Sequence, residues 1–480
     1  MSKSPVTPEQ VDVVVVGSRP AGTATSIPLA LAGRKVLVID RASFPSDTVS
    51  THCIFPGGLY EMKLLGALDR VEACGAPKMP FLEFGADGER FRGTFTPLGG
   101  IDYCLCPRRI QMDLALVETA REAGVEVRER CKLVDLVRDG DRVVGIRYDD
   151  AQGERHEVRA KLVVGADGRD STVAGLVGSG TPYRRSRPGR GMAFYYVKDK
   201  AAVASGDPTL RNALSAWRVG DNIGYFFPTN GDGGVALFMP PVAEIPRMRK
   251  DTAQRWAEMV ESHPIVRERL AGTELDGRIR LADDTDGYFR VSSGPGWALT
   301  GDAGSFKDPV IAQGIRDALH YGRVLGEMVV DVLDDPNALD RRLRAFERKR
   351  DLGVVRQFYW AVKFTRAEST NAVELEYFRA AMASTGAAGL LVDMFGRTKS
   401  PQRAFTLRRS AVWTLRALRR PGADRGAVLR AARADLAIDA QMYRDLIRLC
   451  LGARVRPDKP EAVAAPASSR QVQVATSAAK

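Results

Sequence analysis

Val11-Asp-Val-Val-Val-Val-Gly-Ser-Arg-Pro-Ala-Gly22 is the stretch of sequence that decides the fold. Its apolar first half predicts a buried strand, and the small residues around Gly22 predict a helix that runs to about Gly33. Residues 35–39 predict a second strand, which ends at Asp40. Strand, glycine-rich turn, helix and strand in this order are typical of a Rossmann-type unit that binds a dinucleotide.

The turn offers backbone N–H groups and the positive end of a helix to a pyrophosphate. The candidate contacts are Gly17, Ser18, Arg19, Pro20, Ala21 and Gly22. Asp40 stands where an acid can accept hydrogen bonds from a ribose. Arg19 replaces the second glycine of the usual G-x-G-x-x-G pattern, and Pro28 is expected to bend the helix.

Outward along the chain, two more turn motifs follow predicted strands. They read Val163-Val-Gly-Ala-Asp-Gly-Arg-Asp-Ser171 and Trp297-Ala-Leu-Thr-Gly-Asp-Ala-Gly304, the latter followed by Asp308-Pro309 and Ala312-Gln-Gly314. Each alone is compatible with a structural turn at the end of a strand. Together with Asp40 they resemble the FAD-dependent aromatic hydroxylases, the group A flavin monooxygenases typified by para-hydroxybenzoate hydroxylase, over roughly residues 11–370.

The chain is most similar to a branch of that family with G-x-R-x-A-G at the first motif. Phe44-Pro-Ser-Asp-Thr-Val-Ser-Thr-His52 and Gly301-Asp-Ala-Gly-Ser-Phe-Lys-Asp-Pro309 are further signatures of this branch. Phe306 stands where members of the branch often have histidine, so any role of that imidazole is absent here.

The resemblance implies FAD and NAD(P)H as cofactors and assigns residues to the FAD site. Beyond the turn itself, the implied contacts are Asp40, Arg41, Arg109, Asp167, Gly168, Gly301, Asp302, Pro309, Gly314 and Ile315. Arg19 is expected to donate hydrogen bonds to a phosphate or to the flavin edge. A helix that starts after Gly314 would aim its N–H groups at the flavin and stabilise an anionic reduced ring.

Several side chains are candidates for the substrate side of the site. His52 lies on a segment that approaches the flavin ring in the family, although a structural histidine is the alternative. The candidates for an aromatic pocket are Tyr196, Trp217, Tyr225, Phe227 and Trp360. Aromatic residues in strands and helices are also ordinary core residues.

The domain organisation follows from these blocks. We expect an α/β fold with a discontinuous Rossmann-type FAD-binding domain of the GR2-like kind, residues 1–175 and 291–335. Residues 176–290 predict an inserted, mostly antiparallel β substrate domain, which part of residues 70–105 can join. Residues 336–456 predict a helical C-terminal region, and residues 457–480 a disordered tail.

Composition narrows the classes of protein. The 480 residues include six scattered cysteines, which favour buried thiols over a disulfide framework. No apolar run is long enough for a membrane span and the N-terminus is polar, so we expect a cytoplasmic protein. The net charge of +12 is concentrated in residues 397–456, with 15 Lys and Arg against four Asp, which predicts a solvated helical face or a surface for an acidic partner or membrane.

No metal site is expected, because His156, His263 and His320 have no evident cluster of acids or cysteines around them. No specific nucleic acid is expected as a partner, and the oligomeric state is a monomer or a homodimer.

The resulting hypothesis is an FAD-dependent monooxygenase. It would use NAD(P)H and O2, through a C4a-hydroperoxyflavin, to hydroxylate an aromatic or other electron-rich small molecule. One alternative is a reductase that resembles the geranylgeranyl reductases, whose Y-x-W-x-F-P element residues 223–228 match only in part. Halogenation is less favoured because the W-x-W-x-I-P element is missing, and a non-catalytic FAD-binding protein with a basic C-terminal surface is the alternative of another class.

Overall fold

The computed structural model describes residues 8–86 and 88–458. Its strands, in chain order, are β1 (Glu9–Val16), β2 (Val36–Ile39), β3 (Phe81–Ala86), β4 (Glu89–Thr94), β5 (Glu126–Arg128), β6 (Lys132–Asp139), β7 (Arg142–Asp149), β8 (Arg155–Gly165), β9 (Arg184–Ser186), β10 (Met192–Lys198), β11 (Ala213–Val219), β12 (Asn222–Pro228), β13 (Gly233–Met239), β14 (Glu274–Ala282), β15 (Gly287–Phe289), β16 (Ser293–Gly294), β17 (Trp297–Leu299) and β18 (Ser305–Phe306).

The α-helices are α1 (Pro20–Leu31), α2 (Pro56–Leu64), α3 (Leu68–Glu72), α4 (Arg109–Glu122), α5 (Thr172–Leu176), α6 (Lys200–Ala204), α7 (Ile245–Met248), α8 (Thr252–Ser262), α9 (Pro264–Leu270), α10 (Gly314–Val329), α11 (Pro336–Phe364), α12 (Ala372–Met382), α13 (Thr385–Gly396), α14 (Pro401–Ala404), α15 (Leu407–Arg419) and α16 (Arg425–Cys450). None of the helices within the described ranges is both long enough and apolar enough to span a bilayer.

The first sheet is built around the apolar run that opens the chain. Its strand order is β16-β17-β8-β1-β2-β5, and β7 pairs with β8 and β6. β1 lies between β2 and β8 and runs parallel to both, so its valines are buried on both faces. The three predicted turn motifs follow β1, β8 and β17, and parallel strands in one sheet bring such turns to the same edge.

Helix α10 packs against α1 at very short range. A Cβ atom at Gly322 would lie 2.6 Å from the carbonyl oxygen of Ala21, and one at Gly326 would lie 2.5 Å from that of Thr25. Both glycines therefore have to be glycine if the two helices are to meet. This contact fixes the start of α10 beside the turn that follows β1.

The second sheet has the order β14-β10-β13-β12-β11-β3-β4 and is antiparallel except for the β11–β3 pair. Its strands β3 and β4 come from residues 81–94, far from the rest in sequence. One face packs against the C-terminal helices, and the other is covered by α7, α8 and α9. The predicted α/β fold class, with a second, mostly antiparallel sheet and a helical C-terminal region, is confirmed.

Three details of the structure bear on the expectations from the sequence. The sequence patterns missed β6, a strand that closes an antiparallel hairpin with β7. Cys53, Cys104 and Cys106 are buried together beside the second sheet, as apolar residues would be. Most of the predicted disordered tail lies outside the described residues, but Asp458 is held in place, because its carboxylate accepts hydrogen bonds from Arg184 and from the backbone N–H of Arg185.

Candidate active site

The turn after β1 has the geometry of an anion-binding site. Gly17 has φ of 101°, and a Cβ atom at Gly22 would lie 1.7 Å from the carbonyl oxygen of Gly17. Helix α1 begins at Pro20, with no side-chain cap and no acid in its first turn. Its positive end is therefore available to a negatively charged ligand.

Asp40, at the end of β2, is tied to the same turn. Its carboxylate accepts hydrogen bonds from the backbone N–H of Ser18 at 2.8 Å and from the Ser18 hydroxyl at 3.0 Å. It also accepts from the backbone N–H of Ala42 at 2.8 Å. Arg41, the neighbouring residue, is exposed. The ribose contact predicted for Asp40 and the cofactor contact predicted for Arg41 stay predictions.

Arg19 and Arg109 share one buried acid. Asp113, on α4, accepts two hydrogen bonds from Arg109, at 2.9 and 2.8 Å, and a third from Arg19. Arg19 also donates to the Ser46 hydroxyl at 2.9 Å. Asp113 thus holds both guanidinium groups close to the glycine turn, because Arg19 is the residue that directly precedes α1.

The second motif, residues 163–171, leads into the short helix α5, and its Ser171 caps that helix. The Asp167 carboxylate accepts a hydrogen bond from the Ser171 hydroxyl at 2.5 Å and one from the backbone N–H of Val173 at 3.2 Å. Burial raises the pKa of Asp167 despite these donors. Gly168 has φ of 82°, a conformation that favours glycine.

The third motif ends at the N-terminus of α10. Gly301 has φ of 58°, and Asp302 follows it in a buried turn where desolvation raises its carboxyl pKa. Pro309 starts a short 3₁₀ turn, after which the chain reaches α10 at Gly314 and Ile315. The predicted helix start is confirmed, and α10 has no side-chain cap.

The first turn of α10 carries a dense charge cluster. Asp317 lies 2.7 Å from the Lys307 ammonium, forms an ion pair with Arg316 at 3.0 Å and pairs with Arg397. These cations hold the pKa of Asp317 below its usual range despite burial. The cluster ties α10 to the chain that follows α13, and so fixes the helix end that faces the site.

His52 is fully buried against Phe194 and Tyr196 of β10 in the second sheet and has φ of 61°. Its Nε2 lies 2.7 Å from the hydroxyl oxygen of Tyr196, while its Nδ1 has no hydrogen-bond partner among the described residues. Burial lowers the pKa of His52 to about 3, and the nearby charge of Arg109 acts in the same direction. Burial raises the pKa of Tyr196, so the pair is neutral near pH 7.

Two arginines that the sequence reasoning missed lie over this pair. The Arg108 guanidinium carbon is 3.6 Å from the centre of the Tyr196 ring, and that of Arg280 is 5.0 Å from it. Asp47 lies 3.4 Å from Arg280 and 4.0 Å from Arg108. The only sequence signal for Arg108 was its position next to Arg109, which was itself a predicted site residue. Arg280 had no such signal, because the pairing of β14 with β10 is what places it beside Tyr196.

Four of the five predicted pocket residues share one buried cluster. Tyr196, Tyr225, Phe227 and Trp360 lie together with Val310 and Ile311, which lead into α10. The prediction that Trp217 belongs to this pocket was wrong. Trp217 lies on the opposite face of the sheet, in a cluster with Phe226, Phe238 and Trp256, because side chains alternate between faces along β11 and β12.

Asp308 is a further residue of this region to which the sequence reasoning assigned no role. Burial raises its pKa to about 6, although the Thr365 hydroxyl donates a hydrogen bond to its carboxylate at 2.6 Å. Asp308 and Tyr225 are near enough for the carboxylate charge to raise the pKa of the phenol further. The Tyr225 hydroxyl is buried with no hydrogen-bond partner among the described residues.

These residues fit an FAD molecule, the cofactor that the motifs imply. The open end of α1 suits a pyrophosphate, and the open end of α10 suits the electron-accepting edge of a flavin. Buried polar atoms without partners in the described chain, Thr300 Oγ1 and Gln313 Oε1, lie on the segments between these two helix ends. Unsatisfied buried groups of this kind point to a polar ligand.

The expectation that the histidines have no cluster of acids around them was wrong for His156, whereas the expected absence of a metal site stays a prediction. Asp150, Glu154 and His156 lie in and beside the turn between β7 and β8, with one ligand atom from each within 4.8 Å of the others. The Nδ1 of His320 lies 2.7 Å from a carboxylate oxygen of Glu61. The spacing of the first set was visible in the sequence, but it lies on a hairpin at the surface.

Fold and site together define a flavoprotein oxidoreductase of the Rossmann type. A model of the FAD binding domain family matches residues 10–362, which is most of the chain. The protein therefore belongs to this FAD-binding family, which includes the group A flavoprotein monooxygenases.

Named relatives carry out several reactions. The chain is 26% identical over 339 residues to a tryptophan 2-halogenase from Chondromyces crocatus, a match of 68% of this chain and 62% of the halogenase. It is 28% identical over 337 residues to a menaquinone reductase from Mycolicibacterium smegmatis, covering 67% and 76%. It is 25% identical over 365 residues to a digeranylgeranylglycerophospholipid reductase from Methanopyrus kandleri, covering 74% and 86%. The chain spans less than two thirds of the halogenase.

Solved structures show the same fold. The myxobacterial chondrochloren halogenase CndH has a TM-score of 0.66 at 21% identity, covering 85% of this chain and 97% of its own. PqsL, a probable FAD-dependent monooxygenase from Pseudomonas aeruginosa, has a TM-score of 0.59 at 18% identity, covering 84% and 99%. The fold is thus shared by proteins of different chemistry.

Proposed function

We propose that this protein is an FAD-dependent monooxygenase of the G-x-R-x-A-G branch, which uses NAD(P)H and O2 to hydroxylate an aromatic or other electron-rich small molecule. The observation that carries the proposal is the neutral His52–Tyr196 pair, buried in an aromatic cluster under the charges of Arg108, Arg109 and Arg280. When bound, FAD supplies the two-electron chemistry that links NAD(P)H to O2.

The chain's own residues would bind and orient the two reactants. The turn from Gly17 to Gly22 and the end of α1 receive the pyrophosphate, and the N–H groups at Gly314 and Ile315 stabilise negative charge on the flavin. The buried faces of Tyr225, Phe227 and Trp360 exclude water from a bound aromatic ring.

The charge pattern favours hydroxylation of a phenol. A ring attacks an electrophilic oxygen more readily when its hydroxyl has lost a proton. Positive charge close to the site lowers the pKa of a bound phenol and stabilises the phenolate that forms.

A reductase of the geranylgeranyl type is the second candidate, supported by the likeness to two reductases over most of their length. We rank this function second because residues 223–228 match the Y-x-W-x-F-P element of those reductases only in part. Halogenation is supported by the halogenase relative but lacks the W-x-W-x-I-P element in this sequence.

The test uses the purified flavoprotein. Oxidation of NADPH and NADH and uptake of oxygen are measured with and without a panel of phenols, each with and without bromide. We expect one phenol to raise oxygen uptake at least about 10-fold and to gain one oxygen atom. A brominated product would favour the halogenase, and flavin reduction with no substrate-dependent oxygen uptake would favour the reductase.

A further inference from the structure

Helix α16 presents an unusual outer face. Leu429, Leu436, Tyr443 and Ile447 are 45 to 60% exposed, although side chains of this type are usually buried. At about 100° per residue, the four fall within an arc of about 40° on the helix surface. They form one apolar stripe, and Leu451, which is 81% exposed, follows directly after the helix.

The acidic side chains of α16 face the protein, whereas Arg433 and Arg444 face outward. Asp435 pairs with Arg366, Asp439 pairs with Lys363, and Asp445 is buried against Tyr359, so these acids face the protein. Arg433 and Arg444 are exposed, lie next to the stripe on the helix surface, and form no ion pair within the described residues.

The neighbouring helix α15 repeats the arrangement. Trp413 and Ala417 are buried on its inner side, whereas Leu415 is 51% exposed together with Arg408 and Arg419. The basic region predicted from the sequence is therefore a helical surface on which arginines and large apolar side chains alternate.

We propose that this outer face of α15 and α16, which we call the basic-apolar face, docks on the surface of an anionic lipid bilayer. Leucine, isoleucine and tyrosine side chains enter the boundary between headgroups and acyl chains, while arginines contact lipid phosphates. A second copy of this chain fits poorly, since it would bring arginines against arginines. Nucleic acid fits poorly because it would leave the apolar stripe against a polyanion.

The test is co-sedimentation of the full-length flavoprotein with vesicles of phosphatidylcholine, either pure or with about 30 mol% phosphatidylglycerol. We expect binding to the anionic vesicles at least about 10-fold tighter than to the neutral ones, weakening as salt is raised. Arg433→Glu with Arg444→Glu should weaken binding at least about 10-fold, and Leu436→Ser with Ile447→Ser should do the same.

Two matched controls separate the face from general charge and hydrophobicity. Arg247→Glu with Arg255→Glu makes the same change in net charge on α7 and α8, and Leu64→Ser with Leu275→Ser removes exposed leucines elsewhere. Flavin content and circular dichroism verify folding of every variant. Both controls are expected to bind vesicles like the parent protein.

Cys450 gives a direct readout, because it is exposed at the end of α16 while Cys53, Cys104, Cys106 and Cys131 are buried and Cys74 is half-buried. A polarity-sensitive dye on Cys450 should shift its emission to the blue with anionic vesicles. The proposal is overturned if the parent protein does not bind them, if the paired variants bind as well as the controls, if duplex DNA binds more tightly than the vesicles, or if the leucine and isoleucine changes instead dissolve a dimer.

Discussion

At the scale of single residues, His52 occupies the most unusual environment in the site. It is fully buried, in a left-handed conformation, and hydrogen-bonded to Tyr196 through one ring nitrogen. Non-glycine residues in that conformation are strained and occur where surrounding structure holds them in place. The unpartnered Nδ1 is the polar atom of this pair that a ligand can satisfy.

The depressed pKa of His52 predicts a pH dependence of stability. The pKa is about 3 in the folded protein and near 6.5 when unfolded, so between these values the unfolded chain binds a proton that the folded chain does not. The free energy of unfolding should therefore fall as pH falls below 6.5. His52→Gln should reduce the loss between pH 7.5 and pH 5 by about 2 kcal/mol, measured by denaturant unfolding.

Thr51→Ala, a change next to His52 that alters no titratable group, is the matched control and should keep the parent pH dependence. An identical pH dependence in His52→Gln and in the parent protein would contradict the burial of a neutral imidazole.

Tyr225 and Trp217 lie on opposite faces of the second sheet, so substitutions at the two residues should affect substrate binding differently. Tyr225→Phe removes a buried hydroxyl that has no partner in the described chain, so it should raise KM for the hydroxylated substrate about 10-fold without lowering the melting temperature. Trp217→Phe, on the other face, should leave KM unchanged. Steady-state kinetics decide the matter, and equal effects of both changes would argue against a pocket on the Tyr225 face.

At the scale of elements, the contact between α1 and α10 positions both helix ends at the site. Gly326→Ala would place a methyl group 2.5 Å from the Thr25 carbonyl oxygen, so α10 has to move. We expect FAD affinity to fall at least about 10-fold, measured by titration of the apoprotein. Gly389→Ala, in helix α13 with nothing within 4 Å of the new atom, should leave FAD affinity unchanged and raise stability by about 0.5–1 kcal/mol.

The charge cluster at the start of α10 should contribute to the stability of the fold. Asp317→Asn would leave the buried side chains of Lys307 and Arg397 without their counter-charge. Stability should fall by about 3–5 kcal/mol, measured by denaturant unfolding. Glu327→Gln removes a half-exposed partner of Arg323 on the same helix and should cost less than about 1 kcal/mol. Similar losses for both variants would contradict a structural role of the cluster.

Local patterns predicted the elements that carry the cofactor site. β1, α1 and β2 follow from an apolar run, a glycine turn and a second apolar run, and α10 begins at Gly314 as the motif indicates. Long-range pairing was beyond such patterns. The place of β3 beside β11 depends on strands more than 100 residues apart, and alternation along β11 does not say which face Trp217 shares.

At the scale of the whole molecule, the site lies where three parts of the chain meet. The first sheet supplies the cofactor turns, the second sheet supplies Tyr196 and Tyr225, and α11 supplies Trp360 against the segment that leads into α10. This division lets one cofactor fold serve different reactions, since the residues that we propose to face the substrate come from other elements. It accounts for halogenases, reductases and a probable monooxygenase among the similar proteins.

The most direct test of the proposed function is isotopic. The purified flavoprotein is incubated with NAD(P)H, the phenol that stimulates oxygen uptake, and ¹⁸O₂, and the product is analysed by mass spectrometry. We predict a hydroxylated ring that carries one ¹⁸O atom, with the second ¹⁸O atom released as water. A product that gains hydrogen or halogen, or one whose new oxygen comes from unlabelled water, would contradict it.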